Sequence, residues 1–248
     1  MNIAEKTLQL KEDFDEVYEA GKQKEWNDFW DSVPLGGLNQ LAFSGYVWND
    51  TTFRPNRDIV FLAGSGSYSF ASNNISNIKE RLNECGVKLD VSQMTSFSYC
   101  FRYLMTKELP ELDFSSTQYF SGLGYSVSNN SNLETIDKII LPTNWKTEVT
   151  NAANFLTANP KLKNIAFEGV IPGSINVSSS PLSVKSLKSI ITHLKDYAGT
   201  SSKNAYTITF KSSAFAELEN EGATAEYNGT ACTWRELIDN LKWNLVLS

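Results

Sequence analysis

A chain of 248 residues, 41% hydrophobic and 20% charged, carries enough apolar surface for one or two packed domains. Its net charge of −6 and the lack of any Lys/Arg cluster argue against a nucleic-acid backbone as partner. No apolar run approaches the length of a membrane span. Met1-Asn2-Ile3-Ala4-Glu5 lacks the basic and apolar regions of a secretory signal, so export by that route is not expected.

From about Ala4 to Val33 the pattern is helical. Leu10, Phe14, Val17 and Gly21 recur at spacings of three and four and make one stripe, continued by Trp26, Phe29 and Trp30. Charged residues from Lys11 to Lys24 fill the other side, and Pro34 with Gly36-Gly37 ends the helix. Two readings stand. The helix packs on its own domain, or it is an oligomerising or docking arm, since a narrow stripe at coiled-coil spacing seeks a partner helix. Residues 34–81 read as an aromatic adaptor built on Phe43, Tyr46, Trp48 and Phe53. Within it Ile59 to Leu62 suits a strand. Ala63-Gly64-Ser65-Gly66-Ser67 lacks the Gly-Lys-Ser/Thr ending of a phosphate loop and reads as a turn. Ile75, Ile78 and Leu82 align on a turn or two of helix, closed by Cys85-Gly86.

A short triad then recurs: aliphatic, variable, large apolar. It appears as Leu89-Asp90-Val91, Leu112-Asp113-Phe114, Ile139-Ile140-Leu141, Ile165-Ala166-Phe167 and Ile175-Asn176-Val177. The first four are spaced by roughly 23 to 27 residues, the period range of leucine-rich repeats. Each triad alternates, so its outer residues face one way and its middle residue the other. A strand this short is stable only when stacked on copies of itself. The fold expected is therefore α+β: a short, irregular leucine-rich-repeat-like solenoid over residues 82–180. Between the triads lie an aromatic stretch (Phe97, Tyr99, Phe101, Tyr103, Leu104), a polar loop around Ser126 to Asn132, and a short helical side over Ala152 to Thr157. Leu133 and Leu162 each precede an isoleucine by three positions and read as equivalent.

The pieces "NLETIDKIILP" and "NPKLKNIAFEG" resemble coils of the BspA-like leucine-rich repeat proteins. Asn132, Leu133, Ile136, Ile139, Leu141 and Pro142 match one coil of that family; Asn159, Leu162, Ile165 and Phe167 match the next. Repeat lengths vary, and the aromatic stretch near Tyr99 departs from the pattern. "YEAGKQKEWNDFWD", "GYVWNDTTFRP", "PLSVKSLKSIITHLKDYAG" and "TWRELIDNLKWNLVLS" are similar to phage and prophage structural proteins of gut Firmicutes. That likeness implies a virion or tail-associated role and carries no catalytic residues across.

From Pro181 to Ser248 the period changes. Ser183 suits the cap of a helix holding Val184, Leu187, Ile190, Ile191 and Leu194. Ala205 to Phe210 alternates as a strand. Ala214 to Glu221 and Trp234 to Leu241 look helical, and Leu245-Val246-Leu247 reads as a last strand. This block is expected to cap the stack, whose final rung would otherwise expose an apolar face and an unpaired edge.

Signals for chemistry are weak. His193 is the sole histidine and sits beside core positions, so a structural role is expected. Cys85, Cys100 and Cys232 have no metal-like spacing and are expected to be buried free thiols. No cofactor or metal is expected. Glu111, Asp113, Glu134, Asp137 and Glu168 are candidates for a glycosidase pair, since stacked strands can align acids; each is more simply a solvated residue. A stacked surface offers Asp90, Asp113 and Asn176 from the middles of strands, and Tyr99, Tyr103, Tyr119 and Tyr125 from loops, as contacts for a glycan or protein. The reading is thus a non-enzymatic phage tail or baseplate protein. Residues 1–33 would dock it to itself or to other virion proteins, through Leu10, Phe14, Val17, Trp26, Phe29 and Trp30. The solenoid would meet a host-surface protein or glycan, with no nucleic acid and no membrane insertion. A BspA-like surface adhesin or a glycan-degrading enzyme are the alternatives.

Overall fold

Brief alternating runs separated by turn residues give brief strands. In chain order these are β1 Ile59–Val60, β2 Gly64–Ser65, β3 Leu89–Asp90, β4 Met94–Ser96, β5 Glu108–Leu109, β6 Leu112–Asp113, β7 Thr135–Ile140, β8 Asn164–Glu168, β9 Ile175–Asn176, β10 Thr207–Phe210, β11 Ala225–Tyr227, β12 Thr230–Cys232 and β13 Asn244–Leu247. The helices are α1 Ile78–Cys85, α2 Val184–Thr192, α3 Ser212–Asn220 and α4 Trp234–Asn240, with a 3-10 turn at Phe120–Leu123. The computed structural model describes residues 9, 11–18, 20, 21, 24, 28, 50, 53, 58–61, 64, 65, 70–146, 154–201, 205–222 and 224–248. Among them the chain is a mixture of α and β with several small sheets and no closed barrel.

Among the described residues all strand pairs are parallel except the β11–β12 hairpin, whose Asn228-Gly229 turn suits antiparallel pairing. Partners in the middle of the chain lie about 27 to 30 residues apart: Ile59 beside Leu89, Glu108 beside Thr135, Thr135 beside Asn164. The five triads do not share one ladder. The second, third and fourth meet in a four-stranded sheet, the first pairs back onto β1, and the fifth pairs forward onto β10. Nor do the third and fourth match residue for residue. Ile136 faces Ile165, but Ile139 faces Phe167. The cause is one extra residue: Asp137-Lys138 separate Ile136 from Ile139 in β7, whereas Ala166 alone separates Ile165 from Phe167. The resulting bulge sends both Asp137 and Lys138 away from the core.

A second set of hydrogen bonds runs beside the strands. The amides of Phe97, Tyr99, Phe101 and Tyr103 donate to the carbonyls of Gly122, Gly124, Ser126 and Ser128. Phe70 and Ser72 donate in turn to Cys100 and Arg102, and Val127 and Asn129 to Phe155 and Thr157. Phe97 and Phe101 lie inward beside Phe70, Phe114, Phe120 and Phe155, all buried. Phe97 and Phe114 have ring centroids 4.2 Å apart, and Phe70 and Phe101 5.3 Å.

Asparagine holds these turns together. Asn73, Asn130 and Asn159 are wholly buried. Asn130 Oδ1 accepts from Leu104 N at 2.8 Å, and its Nδ2 donates to Phe101 O at 3.0 Å. Asn159 repeats this one unit on, accepting from Asn130 N and donating to Val127 O. The stretch from Ser126 to Asn130, expected as a polar surface loop, is thus mostly interior, because its amides serve neighbouring backbone groups. Residues 154–156 form a turn, not the expected helix.

The C-terminal block follows its sequence closely. Ser183 caps α2 by accepting from Ser186 N, and Thr233 with Glu236 forms a capping box on α4. Residue 180 is not a structural border: β9 precedes it and pairs with β10, which in turn pairs with β13. α2 also lies along β8. Ser186 Oγ accepts from Ile165 N at 2.9 Å and Ser189 Oγ from Phe167 N at 2.8 Å.

At the N-terminus residues 11–18 are helical and exposed, with Phe14 67% and Val17 73% accessible. Leu10, Trp26, Phe29 and Trp30 lie outside the described residues, as do Phe43, Tyr46 and Trp48 of the adaptor. The cysteines are free, but only Cys100 is buried; Cys85 is exposed at the end of α1 and Cys232 half-buried, which corrects the expectation for those two. No helix among the described residues is long and apolar enough to cross a membrane.

Candidate functional site: a tyrosine–arginine surface

Phe97 and Phe101 are buried, while left-handed backbone at Tyr99 and Tyr103 turns the two tyrosines toward the surface. The next segment brings Tyr125 level with Tyr99. Their rings lie nearly parallel, with centroids 5.2 Å apart and 6° between planes. Arg102, which the sequence alone did not single out, lies across all three rings. Its Cζ is 4.3 Å from the Tyr103 centroid, 5.1 Å from Tyr125 and 5.3 Å from Tyr99. Its Nη2 donates to Tyr103 Oη at 2.7 Å. Among the described residues no carboxylate pairs with Arg102, and its Nε is buried without an acceptor.

The backbone here is left-handed. Tyr99, Tyr103 and Tyr125 have φ of 61°, 58° and 56°. Ser72, Asn129 and Ala158, each just before a buried asparagine, share that conformation. The turn therefore demands it, but does not demand tyrosine. A bulky residue there costs about 1 kcal/mol or more, whereas Gly or Asn sits at little cost. Exposed cation–π contacts return about 0.5–1 kcal/mol each. The two effects nearly cancel, so stability does not account for tyrosine at these positions.

Beside the stack, Ser72, Asn74, Tyr103, Met105, Asn129 and Ser131 line an open depression of about 430 Å³. Tyr103 and Met105 are among the most exposed large apolar side chains of the described chain.

The other candidates sit elsewhere. Asp90, Asp113 and Asn176 each accept from the backbone amide two residues on, at Ser92, Ser115 and Ser178. They close turns at strand ends. Tyr119 precedes the 3-10 turn, is exposed, and joins none of the stacked pairs among the described residues. Of the acids weighed for glycan hydrolysis, Asp137 reaches Lys79 Nζ at 2.6 Å, beside Glu108 at 3.2 Å, while Glu111 and Glu168 both reach Lys138 Nζ, at 2.9 and 3.1 Å. The hydrogen bond to Asp137 holds Lys79 above the usual lysine range, and that to Glu111 does so for Lys138. Asp137, Glu111 and Glu168 are thus ion-paired, which disfavours the neutral acid that glycoside cleavage needs, while Asp113 accepts from Ser115 N. His193 Nδ1 lies 2.6 Å from Ser189 O at the end of α2. Among the described residues no group of His, Cys, Asp and Glu converges as a metal site.

No family, no curated protein and no solved structure matches this chain.

Proposed function

We propose that this chain is a non-enzymatic recognition protein, and that the surface formed by Tyr99, Arg102, Tyr103 and Tyr125 receives its partner. The carrying observation is the set of three tyrosines held left-handed around an arginine that has no acidic counterpart among the described residues. Tyr and Arg supply large contact area and directional donors, and dominate binding hot spots. The parallel pairing at about 27 to 30 residues, with buried asparagines in register, supports a short, irregular leucine-rich-repeat-like solenoid as the scaffold. The likeness of both ends to phage structural proteins supports a tail-associated place, with residues 1–33 as the docking arm and the tyrosine surface facing the host.

The test is co-sedimentation of the full chain with cell-wall fractions of gut Firmicutes, beside a Tyr99→Asn/Tyr103→Asn/Tyr125→Asn variant. The wild type is expected to sediment and the variant to stay in solution with an unchanged melting curve. Equal sedimentation of the two overturns the reading. Immunogold labelling of particles from induced lysogens tests the placement: gold on tails supports it, and unlabelled tails remove it.

A further inference from the structure

The depression beside Tyr103 has a lining that narrows the chemistry of its occupant. Ser72, Asn74, Asn129 and Ser131 present neutral hydroxyls and amides, each able to donate and to accept. Among the described residues Ser72, Asn74 and Ser131 spend those side-chain groups on no internal hydrogen bond, and Asn129 reaches only Ser128 Oγ, at 3.3 Å. Tyr103 adds an aromatic face that is 50% accessible. Its hydroxyl accepts from Arg102 Nη2 at 2.7 Å, which sets the cation beside Tyr103. The volume falls within the range of about 300–1,000 Å³ usual for small-ligand sites.

Resting on the recognition role proposed above, we infer that this depression is a subsite for an acidic saccharide. Sugar hydroxyls pair with Ser72, Asn74, Asn129 and Ser131. An apolar C–H face of the ring lies on Tyr103. The carboxylate or phosphate of the saccharide pairs with Arg102, which has no acidic partner among the described residues. A protein partner fits less well. Its anchors seek enclosed, desolvated apolar pockets, whereas this depression is open and sets Tyr103, Leu104 and Met105 among four neutral polar side chains. A neutral saccharide would leave the arginine charge uncompensated.

Calorimetric titration of the full chain tests this with four probes: tetragalacturonate, its fully methyl-esterified form, a glycerol-phosphate hexamer and hexaglutamate. Binding of tetragalacturonate marks a carboxylate ligand, and binding of the hexamer a phosphate ligand; either supports the inference. The methyl ester should bind at least about tenfold more weakly than the acid, the scale of one charge-assisted hydrogen bond. Arg102→Gln should lower affinity for the acidic saccharide by about the same factor and leave the ester unchanged, whereas Tyr103→Ala should weaken both. Circular dichroism confirms that each variant keeps its fold. Binding of hexaglutamate alone, binding of none of the four, or equal affinity for acid and ester overturns the inference. If the tyrosine variant still loses cell-wall sedimentation in those cases, the recognition reading stands and only the ligand class falls.

Discussion

At the scale of single residues, three kinds of side chain carry the described fold. Asn130 holds Leu104 N and Phe101 O, both out of reach of water. Asn130→Ala orphans both backbone groups at about 1–3 kcal/mol each. A loss of about 2–4 kcal/mol in urea denaturation is expected, and a loss under about 1 kcal/mol would contradict the bonding described. Gly169 follows β8 with φ of 84°, and a Cβ there would stand 1.9 Å from Leu141 O. Gly169→Ala therefore forces two backbone segments apart, and should cost more than about 3 kcal/mol in a thermal melt. Tyr125→Asn is the contrast: relief of left-handed strain offsets lost stacking, so stability should move by less than about 1 kcal/mol. Arg102 was invisible in the sequence because an isolated basic residue in an aromatic run has no periodic signature. The asparagines looked like surface turns for a similar reason: composition does not reveal that an amide is bonded to the segment one unit away.

At the scale of elements, the legible parts were those set by local pattern. The C-terminal helices lie within a few residues of their expected bounds, and Ser183 caps as its position implies. Leu133-x-x-Ile136 and Leu162-x-x-Ile165 do align across the sheet. The bulge in β7 was not legible, since it depends on how two non-local strands meet. Local capping also gives a pH prediction. Hydrogen bonds from Thr233 N–H and its hydroxyl hold Glu236 below the usual carboxylate range. The folded value lies below the unfolded value, so this contribution is present above about pH 4.3 and fades as pH falls further. Glu236→Gln should therefore unfold at lower urea than wild type at pH 7. The gap should close toward pH 3, and a gap of constant size across that range would exclude the cap as its cause.

At the scale of the whole molecule, the exposed helix at residues 11–18 separates assembly from folding. Phe14 and Val17 bury little apolar surface within the chain. Deleting residues 1–33 should leave the melting temperature of the remainder within a few degrees. The same deletion should reduce the mass seen by light scattering. An unchanged mass would return that helix to the alternative of a segment packed on its own domain. Along β8, Ser186 and Ser189 occupy the positions that another strand's carbonyls would take. Two hydroxyl groups thus act as a stopper against runaway self-association. A Ser186→Ala/Ser189→Ala chain, still helical in this stretch, would bare the amides of Ile165 and Phe167 to any passing neighbour, and its first symptom should be thioflavin-positive fibres rather than a lower melting point.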